Sequence, residues 1–356
     1  MKTIRPATTH VLLMDGTFAS LAEGRRSSIG RIHRLLTGQL GLPPIAGRTR
    51  IHYAMGQQWN HWRTLHELAM GTTLEARITR AYGWLATAYR PGDRIFLLGY
   101  SRGGFAVRSL AGMIGRLGLL TPRHATERNI RLAWRLYQRG GCDKALAGFA
   151  RRCHPAAPIR MVGCFDTVMA LGIRLPLLWM LTEPRFRFHD AHLGKGIEHA
   201  FQALALDETR AAFAPMLWDE DHAAGRIEQM WFRGAHPDIG GQLSGFEFAR
   251  PLANIPLTWM LERAESVGLE LPIGWRGLFS CDPQAPAIGS WRNWGKAFLA
   301  RTPRLAGRYR SEALHPTVTL PYEGPAHLVD HLAQPFRPPS RDAADQPMPT
   351  DIRSAG

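Results

Sequence analysis

A serine between two glycines, Gly99-Tyr100-Ser101-Arg102-Gly103, constrains the fold of this chain more than any other feature. The residues before it, Arg-Ile-Phe-Leu-Leu-Gly-Tyr (94–100), are apolar on both faces, which is typical of a central strand in a parallel sheet. The apolar residues after it recur at helical spacing: Phe105, Leu110, Met113, Ile114 and Leu117. The sequence therefore predicts a strand, a tight turn that carries the serine, and a helix over residues 102–119.

This setting favours Ser101 as a nucleophile. Gly99 and Gly103 remove side chains that would clash in so sharp a turn, and the N-terminus of the following helix favours developing negative charge. Serine is also a common helix cap, so capping is the alternative. A serine hydroxyl attacks only when a base takes its proton and an acid orients that base.

Three more apolar runs, 11–14, 159–165 and 229–232, predict buried strands. Polar residues stand at or just beyond their ends: Asp15-Gly16-Thr17, Asp166 and His236. The carboxyl ends of parallel strands share one edge of a sheet, so these residues are expected to converge there. The order Ser101, Asp166, His236 is that of an α/β-hydrolase triad. We predict an α/β-hydrolase-like fold: a mostly parallel central sheet flanked by helices, with cap insertions.

Each triad assignment has an alternative. Asp166 followed by Thr is also a turn or helix-cap signal. His236, in a glycine-rich loop, could simply bond to Asp238. Asp238 is the rival acid, although its position two residues from His236 favours a role in bracing the local backbone. Metal binding by His236 and Asp238 has no supporting ligand cluster, so we predict no metal and no cofactor.

The loop after the first strand is the candidate oxyanion hole. Backbone N–H groups at Gly16 and Thr17, together with that of Arg102, could stabilise the negative oxygen of a tetrahedral intermediate. Asp15 either pairs with Arg102 and holds this loop open or is an ordinary turn carboxylate. The sequence leaves these two readings equal.

Composition limits the remaining possibilities. A chain of 356 residues with 45% hydrophobic content can bury a large core. We predict one catalytic domain over 1–336, with insertions around 171–200 and 270–310, and a disordered tail over 337–356. The net charge of +15 comes mainly from scattered arginines without a nucleic-acid-binding motif. No nucleic-acid partner is expected.

The N-terminus has no apolar run of signal-peptide length. The longest apolar stretch, 171–181, contains Arg174 and Pro176 and is shorter than the ~20 residues of a transmembrane helix. A cytoplasmic location is the default expectation, and non-classical secretion stays open. This stretch either packs as a cap over the sheet or makes transient contact with a membrane surface.

Several segments, in order, resemble an α/β-hydrolase family of bacteria and fungi that includes the phospholipase (lipase) effectors of the type VI secretion system. They are Met14-Asp15-Gly16-Thr17, residues 99–105 with 108–114, Phe165-Asp166-Thr167-Val168, residues 203–210, residues 231–241 and Trp259-Met260-Leu261. The resemblance implies a hydrolase fold and activity on glycerophospholipid esters. We therefore expect a cofactor-independent ester hydrolase with a lipid or other ester substrate. A housekeeping esterase and a catalytically idle interaction module are the alternatives.

Overall fold

The computed structural model describes residues 5–45, 47–58, 72–168, 193–219, 225–292, 298–329 and 332. Within these ranges seven parallel strands form the central sheet, in the order β2-β1-β3-β4-β5-β6-β8. They are β1 Thr9–Met14, β2 Thr49–Ala54, β3 Arg94–Tyr100, β4 Ile159–Phe165, β5 Ile197–Ala205, β6 Ile227–Phe232 and β8 Glu312–Leu314. Two short strands, β7 Leu305–Ala306 and β9 His327–Leu328, pair separately.

Helices cover both faces of this sheet. They are α1 Ser28–Leu36, α2 Thr72–Ala88, α3 Arg102–Leu117, α4 Glu127–Arg139, α5 Asp143–Ala150, α6 His236–Gly240 and α7 Arg250–Ser266, with single 3₁₀ turns at Pro122–His124, Ala211–Phe213, Glu247–Ala249 and Trp275–Leu278. The α/β-hydrolase-like fold class predicted from the sequence is confirmed. The helix predicted over 102–119 ends two residues earlier, because Gly118 takes a positive φ of 85° as its cap.

The alternating side chains of the central strands explain the two-sided core. Leu12 and Leu97 point into one layer, which α2, α3 and α4 cover. Val11 and Phe96 point into the other, which α1 and α7 cover. A strand buried on both faces needs apolar residues at every position, which is why the runs at 11–14 and 94–100 are continuous rather than alternating. Among the described residues no helix is both long and apolar enough to cross a bilayer.

The C-terminal part of the chain returns to the carboxyl edge of the sheet. Ala306, in β7, is buried in a small cluster with Leu204, Leu206 and Trp231 from the ends of β5 and β6. The Trp231 Nε1 donates to Glu312 Oε2 at 2.8 Å, which ties β8 to β6. This return brings residues 298–306 beside the strand ends that carry the predicted site.

Some sequence predictions fall outside the described residues. These are the membrane-contact segment 171–181 and the tail 337–356. The insertion expected around 171–200 reaches into the sheet, because residue 197 already begins β5. The strands β2 and β5 were not predicted from the sequence.

Candidate active site

Ser101 lies on a sharp turn between β3 and α3. Its φ of 55° and ψ of −121° are rare for a residue with a side chain. A Cβ on Gly103 would lie 2.0 Å from the Met14 carbonyl oxygen, and one on Gly99 would lie 2.3 Å from the Gly103 carbonyl oxygen. Only glycine fits at these two positions. The Ser101 side chain makes no capping hydrogen bond to α3, so the capping alternative does not hold.

A continuous series of hydrogen bonds joins the three predicted triad residues. His236 Nε2 lies 2.9 Å from Ser101 Oγ, and His236 Nδ1 lies 2.5 Å from Asp166 Oδ2. All three side chains are buried. Asp166 follows β4 with a positive φ of 42°, and its N–H donates to the Ala203 carbonyl in β5. The structure thus brings together residues that lie up to 135 positions apart in the chain.

The charges around His236 decide which ring nitrogen carries the proton. Burial alone would raise the pKa of Asp166, but the Arg304 guanidinium and the His236 N–H outweigh it and hold that pKa well below its usual range. An ionised carboxylate only accepts, so His236 Nδ1 donates to it and the lone pair of Nε2 faces the Ser101 hydroxyl. Burial lowers the pKa of His236 despite the opposing effect of Asp166. The imidazole is therefore neutral near pH 7 and can accept a proton.

Two aromatic rings fix the plane of the imidazole. The Tyr100 ring lies 5.0 Å from the His236 ring at an angle of 33°, and the Phe213 ring lies 4.9 Å away at 70°. The Tyr100 hydroxyl also approaches the His236 carbonyl oxygen at 3.5 Å. These contacts leave the imidazole little freedom to rotate away from Ser101.

The contacts of Asp238 differ from those of Asp166. Its carboxylate accepts backbone N–H groups from Ala235 at 2.9 Å, Ile288 at 2.8 Å and Gly289 at 3.3 Å. His236 itself is the first residue of the short helix α6 rather than part of a loop, and its ring nitrogens bond to Ser101 and Asp166. Asp238 thus braces the start of α6 against the segment around residue 288.

The loop after β1 lies directly against the nucleophile. A Cβ on Gly16 would lie 2.5 Å from the Tyr100 ring and 3.3 Å from the Ser101 Cβ. The Gly16 N–H donates to Asp15 Oδ1 at 2.9 Å, so Gly16 is not a free oxyanion donor and that assignment needs correction. Within the described residues the N–H groups of Thr17 and Arg102 make no hydrogen bond, and the buried Thr17 hydroxyl has no partner. These are the donors that an oxyanion could meet.

Neither sequence-based reading of Asp15 describes its contacts. Its buried carboxylate does not pair with Arg102 but accepts the Ser27 hydroxyl at 2.5 Å and the Tyr53 hydroxyl at 2.8 Å, in addition to the Gly16 N–H. Burial raises its pKa to about 6 against the effect of these hydrogen bonds. Asp15 therefore anchors the β1 loop to the N-cap of α1 and to β2.

Residues 8–263 match the family model described as the catalytic domain of type VI secretion phospholipase effectors of the Tle1-like kind. The match covers well over half of the chain and includes Ser101, Asp166 and His236. The chain belongs to the Tle1-like family. The resemblance seen in the sequence is confirmed, and membership supports a lipase or esterase function in general.

Individual relatives of this Tle1-like chain are distant. The uncharacterized protein YEL023C of Saccharomyces cerevisiae is 30% identical over 225 residues, which cover 57% of this chain and 31% of the yeast protein. A structure of the Tle1 effector bound to the VgrG spike is 17% identical, with a TM-score of 0.38, 67% of this chain covered and 52% of that chain. An uncharacterized protein from Pseudomonas aeruginosa is 15% identical, with a TM-score of 0.41, 78% of this chain covered and 49% of that chain. The chain thus spans about a third to a half of the length of these relatives.

Three charged residues beside the predicted triad were not identified from the sequence. Arg304 donates to Asp166 at 2.6 and 3.0 Å. Glu208 accepts the His236 backbone N–H at 3.2 Å, and Arg210 donates to Glu208 at 2.8 and 2.6 Å. Glu208 and Arg210 lie in a segment, 203–210, that carries the family resemblance, so a signal for them existed. Nothing in the sequence pattern marked Arg304.

Within the part of the chain that the structure describes, no group of three or more His, Cys, Asp or Glu side chains is arranged to hold a metal ion.

Proposed function

We propose that this protein is a serine ester hydrolase that cleaves acyl esters of phospholipids through an acyl-enzyme on Ser101. The observation that carries the proposal is the hydrogen-bonded series from Ser101 Oγ through His236 to Asp166. These residue types, in this order and at strand ends, are the parts that acyl transfer needs. Membership in a phospholipase effector family supports a lipid ester as the substrate.

Acylation follows from this geometry. Ser101 Oγ attacks the ester carbonyl carbon while its proton moves to His236 Nε2, 2.9 Å away. The carbonyl oxygen becomes negative and accepts hydrogen bonds from the N–H groups of Thr17 and Arg102, which bond to no acceptor among the described residues. When the tetrahedral intermediate collapses, the bond to the alcohol breaks and the alcohol takes the proton from Nε2. The acyl group stays on Ser101.

Deacylation repeats these steps with water. His236 Nε2 removes a proton from the water molecule as its oxygen attacks the acyl carbon, and the same N–H groups receive the oxyanion. Collapse releases the fatty acid and returns the proton to Ser101 Oγ. Asp166 stays ionised throughout and stabilises the imidazolium in both halves of the reaction, because the pKa of this carboxyl is held well below its usual range.

The Arg102 side chain supports a phosphate-bearing substrate. It is partly buried next to the nucleophile, and burial together with the nearby charge of Arg77 lowers its pKa to about 10, so it stays protonated at neutral pH. Within the described residues no carboxylate pairs with it. A desolvated cation without an anion is unfavourable, and the phosphate diester of a phospholipid supplies suitable oxygens.

A serine-directed fluorophosphonate probe tests the nucleophile. We expect the wild type to be labelled and Ser101→Ala to be unlabelled, as read by intact mass. Ser109→Ala is the matched control, since Ser109 is buried in α3 and donates to the Phe105 carbonyl at 2.8 Å. An unlabelled wild type, or equal labelling of Ser101→Ala, would overturn the proposal in favour of an idle interaction module.

Substrate class is tested with a phospholipid and a diacylglycerol of the same acyl chains in mixed micelles. We expect the wild type to favour the phospholipid. Arg102→Gln keeps the backbone N–H but loses the charge, so this preference should fall on the order of 10- to 100-fold, as for the loss of a charged hydrogen bond. If the protein hydrolysed short-chain esters but neither the phospholipid nor the diacylglycerol, it would instead be a small-ester esterase.

A further inference from the structure

Arg304 makes a two-pronged contact with the carboxylate that orients His236. Its Nη1 donates to Asp166 Oδ1 at 2.6 Å and its Nη2 donates to Asp166 Oδ2 at 3.0 Å. Both side chains are buried, with exposed fractions of 4% and 0%. Oδ2 is the same oxygen that accepts from His236 Nδ1. Arg304 lies beyond residue 263, where the family match ends.

We propose that Arg304 is a positioning residue of the catalytic site: it fixes both oxygens of Asp166, so that Oδ2 stays aligned with His236 Nδ1. The inference rests on the proposed serine hydrolase function. A carboxylate rotates easily about its terminal torsion. A planar guanidinium bonded to both oxygens removes that freedom in a way that a lysine cannot.

The guanidinium is itself held in place. Arg304 also donates to the carbonyl oxygens of Ala205 at 2.9 Å and Phe213 at 2.6 Å. Its own carbonyl accepts the His327 N–H at 2.8 Å. Two residues on, Ala306 is buried in the cluster at the ends of β5 and β6. The C-terminal segment therefore holds the Arg304 guanidinium in a fixed position beside the Asp166 carboxylate.

Arg304 also affects the charge that His236 experiences. Its guanidinium shares the Asp166 carboxylate with the imidazole, so it weakens the attraction that favours imidazolium. In the described part of the chain, the other charged or titratable groups around His236 are Glu208 and Arg210, which pair with each other, Ser101 and Tyr100 at the end of β3, and Asp238 on the same helix. Removing the Arg304 charge should raise the pKa of His236.

Two substitutions separate geometry from charge. Arg304→Met should lower kcat on the order of 100-fold, as a small misplacement of a catalytic group does. It should also move the acid limb of kcat/KM upward by roughly one pH unit. Arg304→Lys keeps the charge but loses the fork, so kcat should fall while the acid limb stays at the wild-type pH. Added guanidinium ion, below denaturing concentrations, should restore turnover to Arg304→Ala.

The chain offers a matched control. Arg263 forms a similar two-pronged pair with Glu228, at 2.7 and 2.8 Å, near the amino end of β6. Arg263→Met removes an arginine–carboxylate fork away from the site. Stability should fall, but the acid limb should not move and added guanidinium should not change turnover. If the role of Arg304 were purely structural, its variants would behave like Arg263→Met: they would lose stability, but the acid limb would not move and added guanidinium would not restore turnover.

A readout without substrate distinguishes this proposal from the proposed function. The pKa of the His236 imidazole can be followed by NMR titration, with the His236→Gln variant assigning the signal. We expect a higher pKa in Arg304→Met than in the wild type. A wild type without ester turnover would overturn the proposed function. An active wild type with unchanged His236 pKa and acid limb in Arg304→Met, or normal kcat in Arg304→Lys, would overturn the role of Arg304.

Discussion

Replacing each of the two aspartates near His236 by asparagine discriminates their functions. Asp166 accepts from His236 Nδ1, from both terminal nitrogens of Arg304 and from the Ala205 N–H at 3.1 Å. An amide has one acceptor oxygen and no charge, so Asp166→Asn cannot serve all these donors. Asp238 accepts only backbone N–H groups among its described partners.

The magnitudes follow from these contacts. Loss of the orienting carboxylate in a serine triad lowers kcat about 10⁴-fold, or about 5.4 kcal/mol of transition-state stabilisation. Asp166→Asn also leaves the buried Arg304 without its counter-charge, which should cost about 3–5 kcal/mol of folding free energy. Asp238→Asn keeps an acceptor oxygen. Its cost should stay within the roughly 1–3 kcal/mol of an unsatisfied hydrogen bond, with kcat reduced less than tenfold.

Initial rates on a short-chain nitrophenyl ester give kcat for each variant, and urea unfolding gives its free energy of unfolding. Rates are compared under conditions where each variant is folded. Near-normal kcat in Asp166→Asn, combined with a large loss of kcat in Asp238→Asn, would refute the assignment of Asp166 as the acid. Asp238 would then be the residue that orients His236.

Three further outcomes are expected. Gly16→Ala should lower kcat on the order of 100-fold, because the Cβ would press on the Tyr100 ring at 2.5 Å and displace the Thr17 N–H. The clash with this buried ring should also lower the melting temperature, so kcat is measured where the variant is folded. Unchanged kcat would remove this loop from the site. Since burial lowers the pKa of His236 from its ordinary value of 6.5, the acid-side midpoint of the kcat/KM profile should lie below pH 6.5, and a midpoint above 6.5 would contradict this. Burial raises the pKa of Asp15 from 3.8 to about 6, so its contribution to stability is full below pH 3.8 and lost as the pH rises through 6. Urea unfolding at acid and at neutral pH gives the free energy of unfolding of the wild type and of Asp15→Asn. The value for the wild type minus that for Asp15→Asn should fall by about 3 kcal/mol from acid to neutral pH. A difference that stays constant with pH would contradict this prediction.

Local patterns were enough for several elements. The strands at 94–100 and 159–165 match the predicted bounds, since a continuous apolar run ended by a turn residue has few other solutions in a parallel sheet. By contrast, β2 reads Thr-Arg-Ile-His-Tyr-Ala and is only partly buried at the edge of the sheet. Its apolar residues Ile51 and Tyr53 alternate with Arg50 and His52, which is the pattern of a half-buried strand and not the continuous apolar run that marked the central strands. An edge strand is specified by its neighbour rather than by its own hydrophobicity.

The triad candidates were recognisable from the sequence because each stands at or just beyond the end of an apolar strand, and parallel topology places such ends on one edge. The sequence favoured Asp166 as the acid and left Asp238 as its rival. Both are acidic and both lie near His236, one in space and one in sequence. The structure separates them by hydrogen bonds: ring nitrogen for Asp166, backbone N–H groups for Asp238.

The sequence alone determined the turn that carries Ser101, because Gly99 and Gly103 admit a close approach of backbone that no other residue allows. Only the tertiary structure decided which N–H groups are free and which charges meet. The Gly16 N–H is taken by the carboxylate beside it, and Arg304 reaches Asp166 across 138 positions of the chain. Such contacts depend on the direction of individual donors and on where a distant segment packs, and neither quantity has a local pattern in the sequence.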